Sequence, residues 1–103
     1  MRDIQQYVDR LAEAFRPERI ILFGSHAYGT ASEDSDVDLL VVMPDDGDPL
    51  GKAMEVRQRI DNRFPLDLLV RSREDLRWRL EHHDWLLTDA IERGRVLYES
   101  DHR

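Results

Sequence analysis

The chain of 103 residues has no cysteine, only five glycines and four prolines, and no long apolar run. The missing cysteine excludes a disulfide framework, a thiolate zinc site and a thiol nucleophile. No apolar stretch approaches the length that a membrane-spanning helix needs, and the first residues, MRDIQQYVDR, lack the apolar core of a signal peptide. We therefore expect a soluble cytoplasmic protein that does not bind membranes.

Positive charge is absent from a long internal interval. No lysine or arginine lies between Arg19 and Lys52, whereas seven acidic residues fall within the same interval. Together with the formal net charge of −7, this argues against direct nucleic-acid binding, because phosphate backbones are bound by clustered basic residues. For Asp45, Asp46 and Asp48 the favoured interpretation is a solvated acidic surface. A phosphate group bound within this interval would need metal ions as its source of positive charge.

Strand and helix patterns alternate along one expected domain, residues 1–103, since this length supports a single core with little room for a second lobe. A helical pattern over residues 3–15 ends before Pro17. Apolar runs predict three strands, with RVLYE as a fourth strand or a docked tail: RIILF (19–23), SDVDLLVVM (35–43), PLDLLV (65–70) and RVLYE (95–99). The second strand is apolar on both faces beyond Asp38, which predicts layers on both sides of the sheet. The order of elements indicates an α/β domain.

Capping signals mark the later helices. In the segment 45–64, Asp48 is a candidate N-cap and Pro49 stands at the first helical position. Four residues at helical spacing are expected to face the core there: Leu50, Ala53, Val56 and Ile60. Ser72, three residues before Asp75, predicts the start of helical segments that end near Gly94.

Histidines and tryptophans in this last region are interpreted as structural. His82 and His83 are adjacent, so on a helix they point in different directions and do not form a two-ligand metal face. Trp78 and Trp85 are seven residues apart, which is core spacing on a continuous helix. We therefore expect both tryptophans to pack in the core, with exposure of one of them to a partner as the alternative.

Two aspartates, Asp36 and Asp38, interrupt an otherwise apolar strand. Aspartate is depleted in strands, and alternate residues share a face, so the two carboxylates are expected to crowd each other. Asp67 stands between two leucines near the start of the third strand and, taken alone, is typical of an edge-strand carboxylate paired with an arginine. Taken together, the three carboxylates would raise one another's pKa unless divalent cations, which prefer hard oxygen ligands, lay between them. The trio indicates two-metal phosphoryl transfer.

Gly24 and Ser25 follow the first buried strand. Glycine allows the backbone to approach a ligand closely, and N–H groups at a following helix start favour anions. A Gly-Ser pair alone is usually only a turn. Its spacing to Asp36 and Asp38 brings a phosphate-binding turn and a cation site onto neighbouring strands.

The whole pattern, Gly24-Ser25, ten further residues, Asp36-Val37-Asp38 and a later Asp67, resembles the DNA-polymerase-β-like nucleotidyltransferase superfamily. The similarity covers most of the chain, from ILFGSHAYGTASEDSDVDLLVV through PLDLLVRSREDL to AIERGRVLYES. It is strongest to the minimal nucleotidyltransferases, the antitoxins of HEPN/MNT toxin–antitoxin systems. The resemblance implies a single-domain nucleotidyltransferase fold of the α/β (α+β) class, in which a short mixed sheet packs with helices.

The resemblance also implies roles for individual residues. Asp36 and Asp38 are expected to coordinate two Mg²⁺ ions, with Mn²⁺ as an alternative, and Asp67 to complete the second metal site and accept a proton. Gly24 and Ser25 are expected to hold the β- and γ-phosphates of ATP. Many proteins of the family carry an arginine just after this pair or two positions later, where this chain has His26 and Tyr28. A surface role for His26 and packing for Tyr28 are the favoured interpretations, although protonated His26 would be a substitute cation.

Three functions are compatible with these expectations. The first is the transfer of AMP from ATP to a tyrosine hydroxyl of a partner HEPN ribonuclease toxin. This AMPylation would silence the ribonuclease activity of the toxin. The second is a non-catalytic antitoxin that covers its partner through electrostatic complementarity. The third, ranked lower, is a small-molecule nucleotidyltransferase of the aminoglycoside-modifying kind, because such relatives carry an additional domain. Both homo- and hetero-oligomers remain open.

Overall fold

A computed structural model describes residues 2–32 and 34–100 of the chain. In this part of the chain, four strands form one sheet in the spatial order β3-β2-β1-β4. Their bounds are β1 Arg19–Phe23, β2 Val37–Val42, β3 Leu66–Arg71 and β4 Arg95–Glu99. β1 is antiparallel to β2 and to β4, whereas β2 and β3 are parallel. The sheet is therefore mixed, as expected, and RVLYE is a strand at its edge.

Within the described residues, five helices surround the sheet. Their bounds are α1 Arg2–Phe15, α2 Ser25–Tyr28, α3 Pro49–Arg59, α4 Arg73–Glu81 and α5 Trp85–Arg93. The one-turn helix α2 follows β1 directly, and α3 supplies the crossover that parallel strands require between β2 and β3. No helix in residues 2–32 or 34–100 is long and apolar enough to span a bilayer.

Helices cover the sheet on both faces, which confirms the two-sided burial expected for β2. Val37, Leu39 and Val41 face a core that α1 and α3 close. Leu40 and Val42 face the opposite way, into a smaller core closed by α4 and α5. The alternation of side chains along a strand thus sends successive β2 residues to different cores.

The predicted capping residues explain where helices α3 and α4 begin. Asp48 accepts a hydrogen bond from the Gly51 N–H (3.0 Å), and Ser72 accepts one from the Asp75 N–H (3.1 Å). Both confirm the expected caps. Helix α3 is shorter than the segment 45–64, because it starts after its Asp48 cap and the backbone becomes extended at Ile60.

Two expectations about burial in this region are wrong. Leu50, predicted to face the core, is 78% exposed, because it stands in the first turn of α3, before Ala53 and Val56 reach the core. Asp45, predicted to be solvated, is only 8% exposed. Its carboxylate accepts a hydrogen bond from the Gly47 N–H (2.9 Å), so it holds the turn that precedes α3.

The expectation that Trp78 and Trp85 pack in the core is also wrong. Trp78 is 55% exposed and Trp85 is 76% exposed. Their seven-residue spacing does not describe one helix, because the chain leaves the helical conformation at His83 (φ 64°). Asp84 then caps α5 by accepting a hydrogen bond from the Leu87 N–H. Trp78 instead stacks on His82 with ring centroids 3.9 Å apart.

Gly94 ends α5, as its position predicts, and glycine is needed there because a side chain would not fit. Its φ of −73° is open to any residue, so left-handed backbone is not required. A Cβ at this position would lie 2.7 Å from Ile21 Cγ2 and 2.9 Å from the Leu22 carbonyl oxygen. Glycine therefore lets the C terminus of α5 pack directly on β1.

Candidate active site

The sheet register brings the predicted aspartates to one end of the sheet. Asp38 pairs with Phe23 of β1 on one side and with Asp67 of β3 on the other. Because β2 and β3 are parallel and in register, Asp38 and Asp67 are direct neighbours on the same face. Asp36 immediately precedes β2, two residues from Asp38 along the chain. The three carboxylates thus come from the starts of two adjacent strands, beside the end of β1.

Charge repulsion at this end of the sheet is focused on Asp38. Its side chain is partly buried, whereas Asp36 and Asp67 are exposed. Burial raises the pKa of Asp38, and the neighbouring charges of Asp67 and then Asp36 raise it further. The positive charge of His26 opposes the rise in the pKa. A cation placed among these groups would reverse the effect of the two carboxylates.

Gly24 lies against Asp38. Its φ of 74° and ψ of −160° belong to a region of backbone conformation that is essentially restricted to glycine. A Cβ on this residue would lie 2.1 Å from Asp38 Oδ2. Only a residue without a side chain therefore allows the backbone of this turn to approach the carboxylate so closely. The turn is held from within, because the Ala27 and Tyr28 N–H groups donate to the Gly24 carbonyl oxygen (3.0 and 3.1 Å).

The donor set suits a divalent cation by its chemistry. Carboxylate oxygens are the hard ligands that Mg²⁺ and Mn²⁺ prefer, and in the described part of the chain Asp36, Asp38 and Asp67 form no ion pair with lysine or arginine. For Asp67 this removes the alternative of an edge carboxylate neutralised by an arginine. The three side chains do not already form a metal-binding arrangement, since no group of three His, Asp or Glu residues among residues 2–32 and 34–100 has metal-binding geometry. The cation would have to draw them together.

A second group of side chains adjoins this turn and was not anticipated from the sequence. The Tyr28 hydroxyl donates to Asp89 Oδ2 (2.5 Å), and the Arg93 guanidinium lies 4.0 Å from the centroid of the Tyr28 ring. Tyr28 is partly buried, so the expected packing role is joined by a polar one. No local signal could reveal these contacts, because 61 residues separate Tyr28 from Asp89.

His26 and Ser25 complete the turn. Both are partly buried, and the His26 Nε2 atom lies 3.1 Å from the Ser35 carbonyl oxygen. This contact ties α2 to the segment that leads into Asp36. His26 thus makes a structural contact in addition to the surface position expected for it, because its ring links the two parts of the chain that contribute site residues.

A cavity of about 410 Å³ lies elsewhere, beside α1. Its lining includes Asp9, Arg10, Glu13 and Arg59, and none of the predicted site residues. The carboxylates of the candidate site instead stand at the open end of the sheet, where Asp36 and Asp67 are accessible to a large partner.

Comparisons with known proteins place this geometry in a family. The family model described as "Nucleotidyltransferase domain" matches residues 4–98. A search of curated protein sequences gives no significant match.

Three solved structures share the fold. A protein from Sulfolobus solfataricus, proposed to be a nucleotidyltransferase, is 19% identical with a TM-score of 0.66, and the match covers 97% of this chain and 80% of that one. A toxin–antitoxin with AMP-PNP is 22% identical with a TM-score of 0.59, over 94% of this chain and 74% of that one. A mutant of the toxin–antitoxin MntA-HpeT is 18% identical with a TM-score of 0.56, over the same shares.

At these identities the structural likeness establishes the fold alone. It agrees with the mixed four-stranded sheet and its helices, which confirms the α+β fold of polymerase-β-like nucleotidyltransferases. The family model extends over nearly the whole sequence. The chain therefore belongs to the nucleotidyltransferase domain family.

Proposed function

We propose that this protein is a Mg²⁺-dependent nucleotidyltransferase that moves AMP from ATP to a tyrosine hydroxyl of a partner HEPN ribonuclease toxin, and so acts as its antitoxin. The observation that carries the proposal is the register that places Asp38 directly beside Asp67, with Asp36 near enough to raise the pKa of Asp38. Proteins of this family generally use nucleoside triphosphates and divalent metal ions. Two structures of the same fold are of toxin–antitoxin proteins, one of them with AMP-PNP.

Each predicted site residue has a role in this proposal. Asp36 and Asp38 hold two metal ions, and Asp67 completes the second metal site. When bound, the ions neutralise phosphate charge and align the attacking and leaving oxygens. Gly24 leaves room for the phosphates beside Asp38, and the Ser25 hydroxyl and the backbone of the turn hold the β- and γ-phosphates.

The transfer itself is a substitution at the α-phosphorus. The acceptor hydroxyl gives its proton to Asp67 as its oxygen bonds to the α-phosphorus. The bond from that phosphorus to the oxygen that bridges it to the β-phosphate breaks, and pyrophosphate leaves. Asp67 is exposed on the edge strand β3, so a tyrosine on the surface of another protein can reach it.

The decisive experiment follows the label from ATP. The protein is incubated with Mg²⁺, a co-purified partner and ATP labelled either at the α- or at the γ-phosphate. Nucleotidyl transfer labels the partner from α-labelled ATP alone, whereas phosphoryl transfer labels it from γ-labelled ATP. Asp38→Asn is expected to abolish labelling, and Asp46→Asn is the matched control, since Asp46 is an exposed aspartate of the same acidic interval. Transfer that persists in Asp38→Asn contradicts the proposal.

A second candidate, neutralisation by binding alone, is favoured by the exposed rings of Trp78 and Trp85 on α4 and α5. Large exposed aromatic side chains are enriched where proteins meet. If binding suffices, a variant with Asp36→Asn and Asp38→Asn still neutralises the toxin, and Trp85→Ala does not. If transfer is required, the double aspartate variant binds the toxin without silencing it. Label found on an aminoglycoside would instead support the small-molecule alternative.

A further inference from the structure

We infer that Arg93, the last residue of α5, contacts the phosphates of the bound nucleotide, and that Tyr28 and Asp89 position its guanidinium for this contact. The inference rests on the proposed function, because it adds a residue to the same nucleotide site. It concerns a part of the chain far from the Gly24-Ser25 turn in sequence, which no local pattern connects to phosphate binding.

The topology of the sheet brings the end of α5 to the site. Arg95, the first residue of β4, pairs with Leu22 of β1, and β1 ends one residue later. The start of β4 and the turn at Gly24 therefore lie at the same end of the sheet. Arg93 precedes β4 by two residues, and the close packing of Gly94 on Ile21 and Leu22 holds this corner against β1.

Side-chain contacts connect Arg93 to the turn itself. Its guanidinium carbon lies 4.0 Å from the centroid of the Tyr28 ring, a distance at which a cation is attracted to the ring face. Tyr28 is the last residue of α2, and its N–H donates to the Gly24 carbonyl oxygen (3.1 Å). A backbone hydrogen bond from Gly24 also opposes the rise in the pKa of Tyr28, which burial and Asp89 cause. One side chain thus separates Arg93 from the glycine that touches Asp38.

Asp89 restrains the Arg93 side chain without occupying all of its hydrogen-bond donors. The Asp89 carboxylate accepts the Tyr28 hydroxyl (2.5 Å), and its other oxygen lies 3.4 Å from Arg93 Nη1. The latter distance is long for a charge-assisted hydrogen bond, and the Arg93 side chain is 61% exposed. Solvent therefore weakens the ion pair, and the guanidinium retains donors for a phosphate.

The charge distribution explains what this residue would contribute. The interval from residue 20 to residue 51, which contains Gly24, Ser25, Asp36 and Asp38, has no lysine or arginine. Arg93 brings a guanidinium to this interval from the other end of the chain. Its planar fork matches two phosphate oxygens at once, which an ammonium does not. The metal ions and Arg93 would then share the charge of the triphosphate.

Substitutions at Arg93 test the inference through the difference between a triphosphate and a nucleoside. Binding of Mg²⁺–AMP-PNP is measured by calorimetry, and binding of adenosine by NMR titration. Arg93→Gln is expected to weaken AMP-PNP binding about tenfold or more, as the loss of a charged hydrogen bond does, and to leave adenosine binding unchanged. Arg93→Lys, which retains the charge, is expected to fall between Arg93→Gln and the wild type.

Arg77→Gln is the matched control. It removes the same charge from Arg77, an exposed residue of α4. Arg77 lies near Arg19, at the end of β1 opposite to the candidate site. Its affinity for AMP-PNP is expected to equal that of the wild type. Thermal unfolding is recorded for every variant. If Arg93 had a purely structural role, its substitution would lower the melting temperature and weaken the binding of AMP-PNP and adenosine by the same factor.

The outcomes separate this inference from the proposed function. Wild-type protein that binds AMP-PNP, with Arg93→Gln and Arg93→Lys binding equally well, overturns the role of Arg93 and leaves the proposed function standing. Equal weakening of AMP-PNP and adenosine overturns it as well. Wild-type protein that binds no AMP-PNP in the presence of Mg²⁺ overturns both.

Discussion

Replacing Gly24 with alanine tests the central contact of the site. The backbone of Gly24, with φ 74° and ψ −160°, lies in a region that costs other residues about 1–3 kcal/mol. The new Cβ would also lie 2.1 Å from Asp38 Oδ2, so the carboxylate must move. A displaced rotamer adds about 0.5–1.5 kcal/mol. We therefore expect Gly24→Ala to lower the free energy of unfolding by roughly 1.5–4.5 kcal/mol.

Gly29→Ala separates the two causes. Gly29 also has a positive φ, of 80°, yet a Cβ there would meet no atom within 4 Å. This variant is expected to lose about 1–2 kcal/mol from backbone strain alone and to bind Mg²⁺–AMP-PNP like the wild type. Gly24→Ala is expected to lose that binding, because it displaces Asp38.

Urea denaturation and calorimetric titration provide both measurements. The double variant Gly24→Ala with Asp38→Ala, compared with the two single variants, forms a double-mutant cycle. Without the Asp38 carboxylate, the substitution at Gly24 is expected to lower the free energy of unfolding by about 1 kcal/mol less than it does in the wild type. Gly24→Ala that matches Gly29→Ala in both stability and nucleotide binding would refute the reasoning, because it would show that the close approach of Gly24 to Asp38 does not exist.

Three further predictions concern the carboxylates and the exposed rings. A variant with Asp36→Asn and Asp38→Asn is expected to lose transfer in the labelling assay yet to unfold, without metal, at urea concentrations at least as high as the wild type, because carboxylate repulsion is relieved; a double variant that does not fold would indicate a structural role. In the native state the pKa of Asp38 is raised by burial and then by Asp67 and Asp36, so the folded protein binds this proton more tightly than the unfolded chain does. Metal-free stability is therefore expected to fall, relative to Asp38→Asn, as the pH rises from about 4 through the native pKa; denaturation in EDTA at several pH values checks this, and a parallel pH dependence in the two proteins would contradict it. Trp85→Ala is expected to cost less than about 0.5 kcal/mol and Leu39→Ala, in the fully buried centre of β2, about 2–5 kcal/mol, as urea denaturation would show; similar losses in both would mean that Trp85 is buried.

Local sequence patterns were sufficient to predict most of the helices and strands. Apolar runs indicated β1 to β3, and the side chains of Asp48 and Ser72 marked the starts of α3 and α4, because a cap depends on hydrogen bonds within one turn of chain. Burial within the helices was less predictable. Trp78 and Trp85 share a spacing but not a helix, and the break at His83 depends on how two short helices fold back on the same sheet face.

The candidate site divides in the same way. The spacing of Gly24-Ser25 to Asp36 and Asp38 is visible in the sequence, because these residues lie at the end of β1 and the start of β2, which follow each other along the chain. The neighbourhood of Asp38 and Asp67 depends on a parallel register across the α3 crossover. The same dependence on long-range packing applies to Tyr28, Asp89 and Arg93, which no spacing rule connects.

By itself, the sequence determined which chemistry is available: three hard carboxylates, a glycine turn, no thiol, and a long interval without cations. It also determined the family, since the matching residues run through almost the entire chain. Only the tertiary structure decided which groups meet, because contacts between distant segments depend on strand register and on the packing of α5 against β1. That packing places Arg93 over Tyr28, and the register places Asp67 beside Asp38.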